Sequence, residues 1–456
     1  MQTRLPFEVD ERIDPSLITA HAGVPLAVEL FRASGAATLM DQVASCKQRK
    51  RGLSASESGE SLFALWLAGG ARCEDMDRLK EDRALSEMLG FPLPSAQATR
   101  DFLAGFHQEE LPLLQAGEMS HVPAESALLE GLAAVNTHLV GYLQKRCPES
   151  VATLDADATI LESHKRSAQP TYDGRRGYQP VLVLWAEQDV VLAEEFRDGN
   201  VPAGSGNLRV VQKAVGALPE GVEQVLLRGD SALYEHNLMD WLDEQAIGFA
   251  ISADMSTPLR TAIQALPEDA WQTETQDRDA VRQWAEVAYV PDDGNYRKQA
   301  PVKHRYLAIR ILKNQGSLFA DGSDRRHFCV VTNREGDGLE LLQWHRGKAG
   351  TIEHTHDVLT NELAAEALPS QKFGANAAWL RLNVICHNLI SALKRVALPE
   401  EFRTARVKRL RFLLFNTVGK VVKHARETLL RLGDEKTLRL FSNARLQIHL
   451  QPLLGE

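Results

Sequence analysis

The chain has little cysteine, no long apolar run and a shortage of positive charge. Its five cysteines, Cys46, Cys73, Cys147, Cys329 and Cys386, are scattered, with no Cys-x-x-Cys pair and no nearby His-x-x-x-His partner. That argues against zinc ribbons and disulfide scaffolds. No window approaches eighteen uninterrupted apolar residues, and the amino terminus, MQTRLPFEVDERIDP, lacks a basic start followed by an apolar stretch. No membrane span is expected, and the chain reads as cytoplasmic. A net charge of −9 argues at first against nucleic acid, because neutralising phosphates needs Lys and Arg at the contact surface.

What is present changes that reading. The 456 residues, 44% of them hydrophobic, suffice for one large core or two to three smaller ones. Basic charge is concentrated rather than absent. Residues 401–440 hold eleven Lys/Arg against four acids, a local balance of +7, and Lys47-Gln48-Arg49-Lys50-Arg51 forms a second cluster. Either alone has an ordinary reading as a solvated helix face or a loop. Together they suit an acidic protein that grips DNA locally.

Residues 17–145 read as mostly helical, with apolar residues at three-to-four spacing in SLFALWLAGGARCEDMDRLKED. In GFPLPSAQATRDFLAGF, Pro92 and Pro94 end what precedes, Ser95 is placed to cap a new helix, and Gln97, Thr99 and Arg100 fall in its first turns. Short polar and basic side chains near a helix start suit a groove-reading helix, although an ordinary capped surface helix has the same pattern. From 150 the texture alternates as β-β-β-α-β-α-β: VATLDADATI, YQPVLVLWAEQ, VVLAEEFRDG, LRVVQKAVGAL, VEQVLLRGDS, LYEHNLMDWLDEQ and GFAISAD. Residues 257–340 add the strand-like WAEVAYV, RYLAIRILK and HFCVVTN. A helix begins near Thr351, and long amphipathic segments follow at 374–396 and 404–432.

The chemistry-bearing residues are acids at strand ends. Phosphodiester transfer without a covalent intermediate needs an activated hydroxyl or water, a stabilised leaving oxygen and relief of phosphoryl charge. Two divalent metals supply all three, and Mg2+ demands carboxylate oxygens on rigid elements. Asp157 closes the first strand and Asp230 the fourth, which in this order lies beside the first. Both then sit at one lip of a sheet.

With that order of elements, the chain resembles the cut-and-paste DDE transposases of bacterial insertion sequences. DATILESHK is similar to their Asp-x-Thr element, RGDSALY to Arg-x-Asp-Ser-x-aromatic, and RGKAGTIEHTHDVLTNEL to the helix that delivers a glutamate; FGANAAWLRLNVICHNLISALKR resembles their carboxyl end. The resemblance implies an α/β fold: an RNase H-like mixed sheet flanked by helices, interrupted by a β-rich insertion, with helical amino- and carboxyl-terminal regions. The expected divisions are a DNA-binding region at 1–148, a catalytic domain at 149–256 and 341–396, the insertion at 257–340, and a basic helical region at 397–456. It further implies Asp157, Asp230 and Glu353 as catalytic metal ligands for two Mg2+ ions, with Mn2+ as substitute. The implied partners are double-stranded DNA at terminal inverted repeats and at the target, and a second copy of the chain in the synaptic complex. Arg346, Lys348, Arg228 and Arg100 are the expected DNA contacts. The family's Tyr-x-x-Arg-x-x-x-Glu and following Lys are not matched, since Arg346, Ala349 and Thr360 occupy those positions.

Rival residues stand near each acid. Alternation puts Asp155 on the same strand face as Asp157, and Glu162 and Glu362 compete with Glu353. His354 and His356 read as exposed helical histidines. Trp271, Trp284, Tyr289 and Tyr306 read mainly as the insertion's own core, although an aromatic face suits a flipped base. Two other functions fit the motifs. One is a transposase-derived DNA binder without cutting activity. The other is a haloacid-dehalogenase-like phosphohydrolase using Asp155 and Asp157, which needs helical crossovers between parallel strands where this sequence has two strands separated by little more than Gln188 and Asp189.

Overall fold

The computed structural model describes residues 16–46, 52–109, 113–116, 121–291, 303–313, 318–319, 323–424 and 427–450. The basic cluster at 47–51 lies outside them. The first region runs β1 (Leu17–Thr19), α1 (Val24–Ala33), α2 (Ala36–Val43), α3 (Ala55–Ala68), α4 (Met76–Leu79), α5 (Arg83–Leu89) and α6 (Ala96–Ala104). A hairpin, β2 (Leu113–Ala116) and β3 (His121–Pro123), and the long α7 (Ala127–Arg146) follow. Serines fix where three of these helices begin. Ser54 and Glu57 form a reciprocal capping box on α3, and Ser95 and Ser126 accept from backbone N–H groups at the starts of α6 and α7.

The central region runs β4 (Val151–Ala158), β5 (Leu161–Glu162), β6 (Gln169–Pro170), β7 (Arg176–Tyr178), β8 (Val181–Trp185), β9 (Val190–Glu195), α8 (Asn207–Gly216), β10 (Gln224–Gly229), α9 (His236–Glu244) and β11 (Gly248–Ser252). Then come α10 (Thr257–Gln264), β12 (Gln272–Gln276), β13 (Ala280–Val287), β14 (Arg305–Lys313) and β15 (Arg325–Thr332). The large sheet has the order β12-β13-β14-β15-β11-β10-β4-β8-β9. Only β10 runs parallel to its neighbours, β4 and β11; every other pairing in this sheet is antiparallel. Strands β12 to β15 therefore continue the large sheet through β15 against β11. Aromatic residues of the segment 257–340 are packed: Trp271 lies under the Arg310 guanidinium at 4.3 Å, Trp284 joins a small core with Leu307 and Leu342, and the Tyr306 and Tyr234 hydroxyls meet at 2.9 Å.

The β4–β8–β9 hairpin order excludes the doubly wound phosphohydrolase topology, because the strand carrying Asp155 and Asp157 is followed by an antiparallel partner with no helical crossover. The turn at 186–189 is tight, with Asp189 at φ 55°. Strand β9 ends the sheet, and its exposed backbone is satisfied by side chains from two helices. Val191 donates to Asn388 Oδ1 at 2.8 Å and accepts from Asn136 Nδ2 at 2.9 Å.

The carboxyl region holds α11 (Gly338–Arg346), α12 (Ile352–Asp357), α13 (Phe373–Val396), α14 (Val407–Leu410), β16 (Gly419–His424), β17 (Glu427–Leu432) and α15 (Glu435–His449). Helix α13 is buried on all sides, and Trp379 meets Trp66 of α3 edge-to-face at 4.9 Å, so one hydrophobic core joins the first region to the sheet. The expected helix at 404–432 is corrected: α14 is short, β16 and β17 pair antiparallel, and β16 pairs with β1. In β16, Val421 is buried between exposed Lys420 and half-buried Val422, a period of two that the surrounding basic residues disguise. No helix among the described residues is long and apolar enough to cross a membrane.

Candidate active site

Parallel pairing of β10 with β4 sets the site. Arg228 is level with Asp155 and Gly229 with Ala156, so Asp230, the next residue, follows at the same lip as Asp157. Side chains two apart on a strand share a face. Arg228 and Asp230 therefore stand on the face of Asp155 and Asp157, arranged as an inner and an outer layer.

The inner layer is closed. Asp155 is fully buried and accepts two bonds from the Arg228 guanidinium, at 2.6 and 2.8 Å, plus one from the Thr351 hydroxyl. Arg228 also donates to the Trp344 carbonyl at 2.8 Å, and His345 Nε2 meets the Gly229 carbonyl at 2.9 Å. A Cβ on Gly347 would stand 2.6 Å from Arg228 Nη1, so the chain passes close to the guanidinium only as glycine. Asp155 is thereby engaged inside the protein. Arg228, expected at DNA, is turned inward by the same contacts, because its fork is matched to a carboxylate inside the protein.

The outer layer is not closed. The Asp157 carboxylate stands 3.3 Å from the Lys348 ammonium and 3.9 Å from His356 Nε2, while Asp230 caps the turn at Ser231–Leu233 through the Ala232 N–H at 3.0 Å. Burial pushes both carboxyls above the usual range, against the pull of Lys348; for Asp230 the charge of Asp157 pushes the same way. Burial, with help from Lys348, lowers His356 to about 4, so its ring is neutral, and among the described residues neither ring nitrogen has a hydrogen-bond partner. Sequence reasoning took His356 for an exposed residue; the helical spacing Ile352–Thr355–His356–Leu359 was the signal that it faces inward.

Glu353 occupies the first turn of α12 and is exposed. It stands about 60° around the helix from His356, the residue of α12 that lies beside Asp157. Its rivals are engaged elsewhere. Glu362 is held by Arg406 at 2.6 Å and by the Lys408 N–H at 2.7 Å, and Glu162 lies 3.8 Å from both His164 and Arg175. Lys348 is buried against Asp157, whereas Arg346 reaches the surface while pairing with the buried Glu274 carboxylate, and Arg100 pairs with exposed Glu74. Thr99 turns inward and Gln97 outward on α6.

The sequence matches the family described as Transposase DDE domain group 1 over residues 8–449. The chain belongs to this family. No curated protein matches it. Among solved structures it is similar to a piggyBac transposase synaptic complex with hairpin DNA, at 10% identity over 86% of this chain and 79% of that one, TM-score 0.42. A Mos1 mariner paired end complex with Mn is also similar, at 18% identity over 44% and 61%, TM-score 0.17.

Members of DDE transposase families use divalent metal ions. The donor set here fits such an ion in part: two carboxylates whose ionisation is opposed by burial, one of them also by the other's charge, are what a divalent cation relieves. Among the described residues no group of three acids, histidines or cysteines stands close enough to hold a metal. Glu353 stays exposed on α12.

One feature beside the site was not read from the sequence. Residues 159–180 leave the lip after Asp157 and form the small sheet β5-β7-β6, with Tyr172 82% exposed at its tip and Arg166 and Arg175 exposed on its surface. The basic runs HKR and GRR flanking Tyr172 were the available signal.

Proposed function

We propose that the chain binds the ends of a mobile DNA element and catalyses metal-dependent strand cleavage and strand transfer, with Asp157, Asp230 and Glu353 as the metal-holding acids. The observation that carries this reading is the pair Asp157 and Asp230 at one lip of parallel strands in a chain of this family, both carboxyls held above their usual range by burial. Bound Mg2+ or Mn2+, two ions in this reading, supplies activation of the attacking water or 3′ hydroxyl and neutralises charge on the phosphoryl group. The chain's own groups do the rest. Asp157 and Asp230 fix the ions to the sheet, Glu353 completes the set from α12, and Lys348 balances excess negative charge. Neutral His356 offers its unpaired ring N–H to a phosphoryl oxygen.

In this reading residues 1–148 bind DNA, 149–256 and 341–396 carry the chemistry, 257–340 widen the sheet, and the basic 397–456 region supports the duplex. Arg100, Arg346 and the hairpin around Tyr172 face the DNA, and Arg228 and Lys348 act inside the site. The partner is double-stranded DNA, with two copies of the chain bringing two ends together.

The test is incubation with a duplex carrying the element's own end, in Mg2+ and in EDTA, beside Asp157→Asn, Asp230→Asn and Glu353→Gln. Metal-dependent cutting that all three variants lose while still binding supports the reading. Binding without cutting by the unmodified protein replaces it with a DNA-binding derivative, a reading that the exposed position of Glu353 favours.

A further inference from the structure

The three inner-layer side chains share a regularity in sequence. Asp155, Arg228 and Thr351 meet at one buried carboxylate, and each stands two residues before one of Asp157, Asp230 and Glu353. We infer that Asp155, Arg228 and Thr351 form a positioning network that sets the mutual spacing of the three metal-holding acids. The inference rests on the reading of those acids given above.

The physical argument follows from backbone geometry. On a strand, residues i and i+2 share a face and are separated by two residue rises of about 3.3 Å each, so fixing one fixes the other within a single pleat. The Arg228–Asp155 fork locks β10 to β4 in the register that brings Asp230 level with Asp157. Thr351 is the residue at which α12 begins, and its hydroxyl on Asp155 fixes where the first helical turn, with Glu353, starts. The backbone N–H of Thr351 donates to the Lys348 carbonyl at 3.1 Å. Lys348, whose ammonium lies beside Asp157, is therefore tied to the same point. Arg228 adds a second attachment of this segment through the Trp344 carbonyl, and its guanidinium lies over the Trp344 ring at 5.3 Å. Divalent ions such as Mg2+ tolerate little departure from their preferred geometry, and groups that orient metal ligands matter for affinity nearly as much as the ligands. Neutralising Asp155 with Arg228 has a second effect: it leaves Asp157 as the one carboxylate on this strand face that is free to take a cation.

The test uses the full chain and Mn2+ alone as probe, with binding read from the EPR signal of free Mn2+, cleavage of the end duplex read in parallel, and Tm recorded in EDTA. Thr351→Val removes the hydroxyl at constant shape, and Thr351→Ser keeps it. Thr351→Val is expected to bind Mn2+ about 10-fold to 100-fold more weakly and to cleave correspondingly more slowly. Its Tm and its DNA binding in EDTA should stay near those of the parent, and Thr351→Ser should restore both affinity and rate. Should Thr351→Val fail to fold, Arg228→Lys carries the comparison, since a point charge cannot reproduce the bidentate fork. Parental Mn2+ affinity in Thr351→Val, beside loss of Mn2+ binding in Asp157→Asn and Asp230→Asn, overturns the network and leaves the acids as assigned. Intact Mn2+ binding in Asp157→Asn and Asp230→Asn overturns the assignment of the acids, and the network falls with it.

Discussion

Asp155 and Asp157 lie two residues apart on the same face of one strand, yet their surroundings are opposite. Asp155 is fully buried and accepts hydrogen bonds from Arg228 and Thr351. Asp157 keeps more solvent access, and its nearest cation is a single ammonium at 3.3 Å. Asp230 beside it adds like charge, and His356 adds two unpaired nitrogens. A satisfied charge inside a protein holds structure, while charges left unsatisfied at a lip mark the place where a ligand completes the arrangement. The comparison gives different surroundings to two acids that the sequence tells apart only by the Asp-x-Thr element starting at Asp157.

The largest effect that would sharpen this comparison is catalytic. Asp157→Asn and Asp230→Asn should each lower metal-dependent cleavage by about 10^4-fold, roughly 5 kcal/mol in the barrier, measured as single-turnover rate on the end duplex. A residual rate within tenfold of the parent in either variant breaks the assignment of the outer layer.

Next is stability of the inner layer. Arg228→Ala leaves Asp155 buried without its partner, and breaking such a pair costs about 3–5 kcal/mol. Urea denaturation should show that loss; a cost under about 1 kcal/mol would mean the pair is not the anchor described.

The outer layer predicts a smaller effect of opposite sign. The Asp230 carboxyl is raised by burial and by Asp157, so its contribution to stability is fully present below the unfolded value near 3.9 and is lost as pH rises through the higher folded value. Ionised Asp230 therefore costs stability at pH 7 without metal. Asp230→Asn should raise Tm in EDTA by about 1–3 °C at pH 7, an advantage that fades below about pH 4. An advantage independent of pH would contradict the cause given.

The smallest effect concerns the hairpin beyond the lip. Tyr172→Ala should weaken binding of end DNA by about 5-fold to 10-fold in a gel-shift titration without altering Mn2+ affinity. Unchanged DNA binding removes the hairpin from the interface.

Much of this arrangement was legible in the sequence. The seven central elements alternate as read, because their apolar periods are clean and turn residues bound them, and Ser95 caps α6 because a hydroxyl after Pro94 has a backbone N–H to accept from. The acids at the ends of β4 and β10 were readable from strand order. What escaped depends on distant partners. β16 is a strand whose partner on one side is β1, some four hundred residues earlier. Arg228 read as a DNA contact because a basic residue near an acid at a strand end looks exposed until its neighbour strand is placed against it and Asp155. Lys348 read the same way and is buried against Asp157.

The most direct test of the two layers is a pair of thermal melts at pH 7 in EDTA, Asp155→Asn beside Asp157→Asn. The account predicts that Asp155→Asn lowers Tm by at least about 5 °C, while Asp157→Asn leaves it unchanged or raises it. A fall of similar size in both would show that Asp157 is held as a structural charge like its neighbour, and would contradict the division of the strand into a holding layer and a working one.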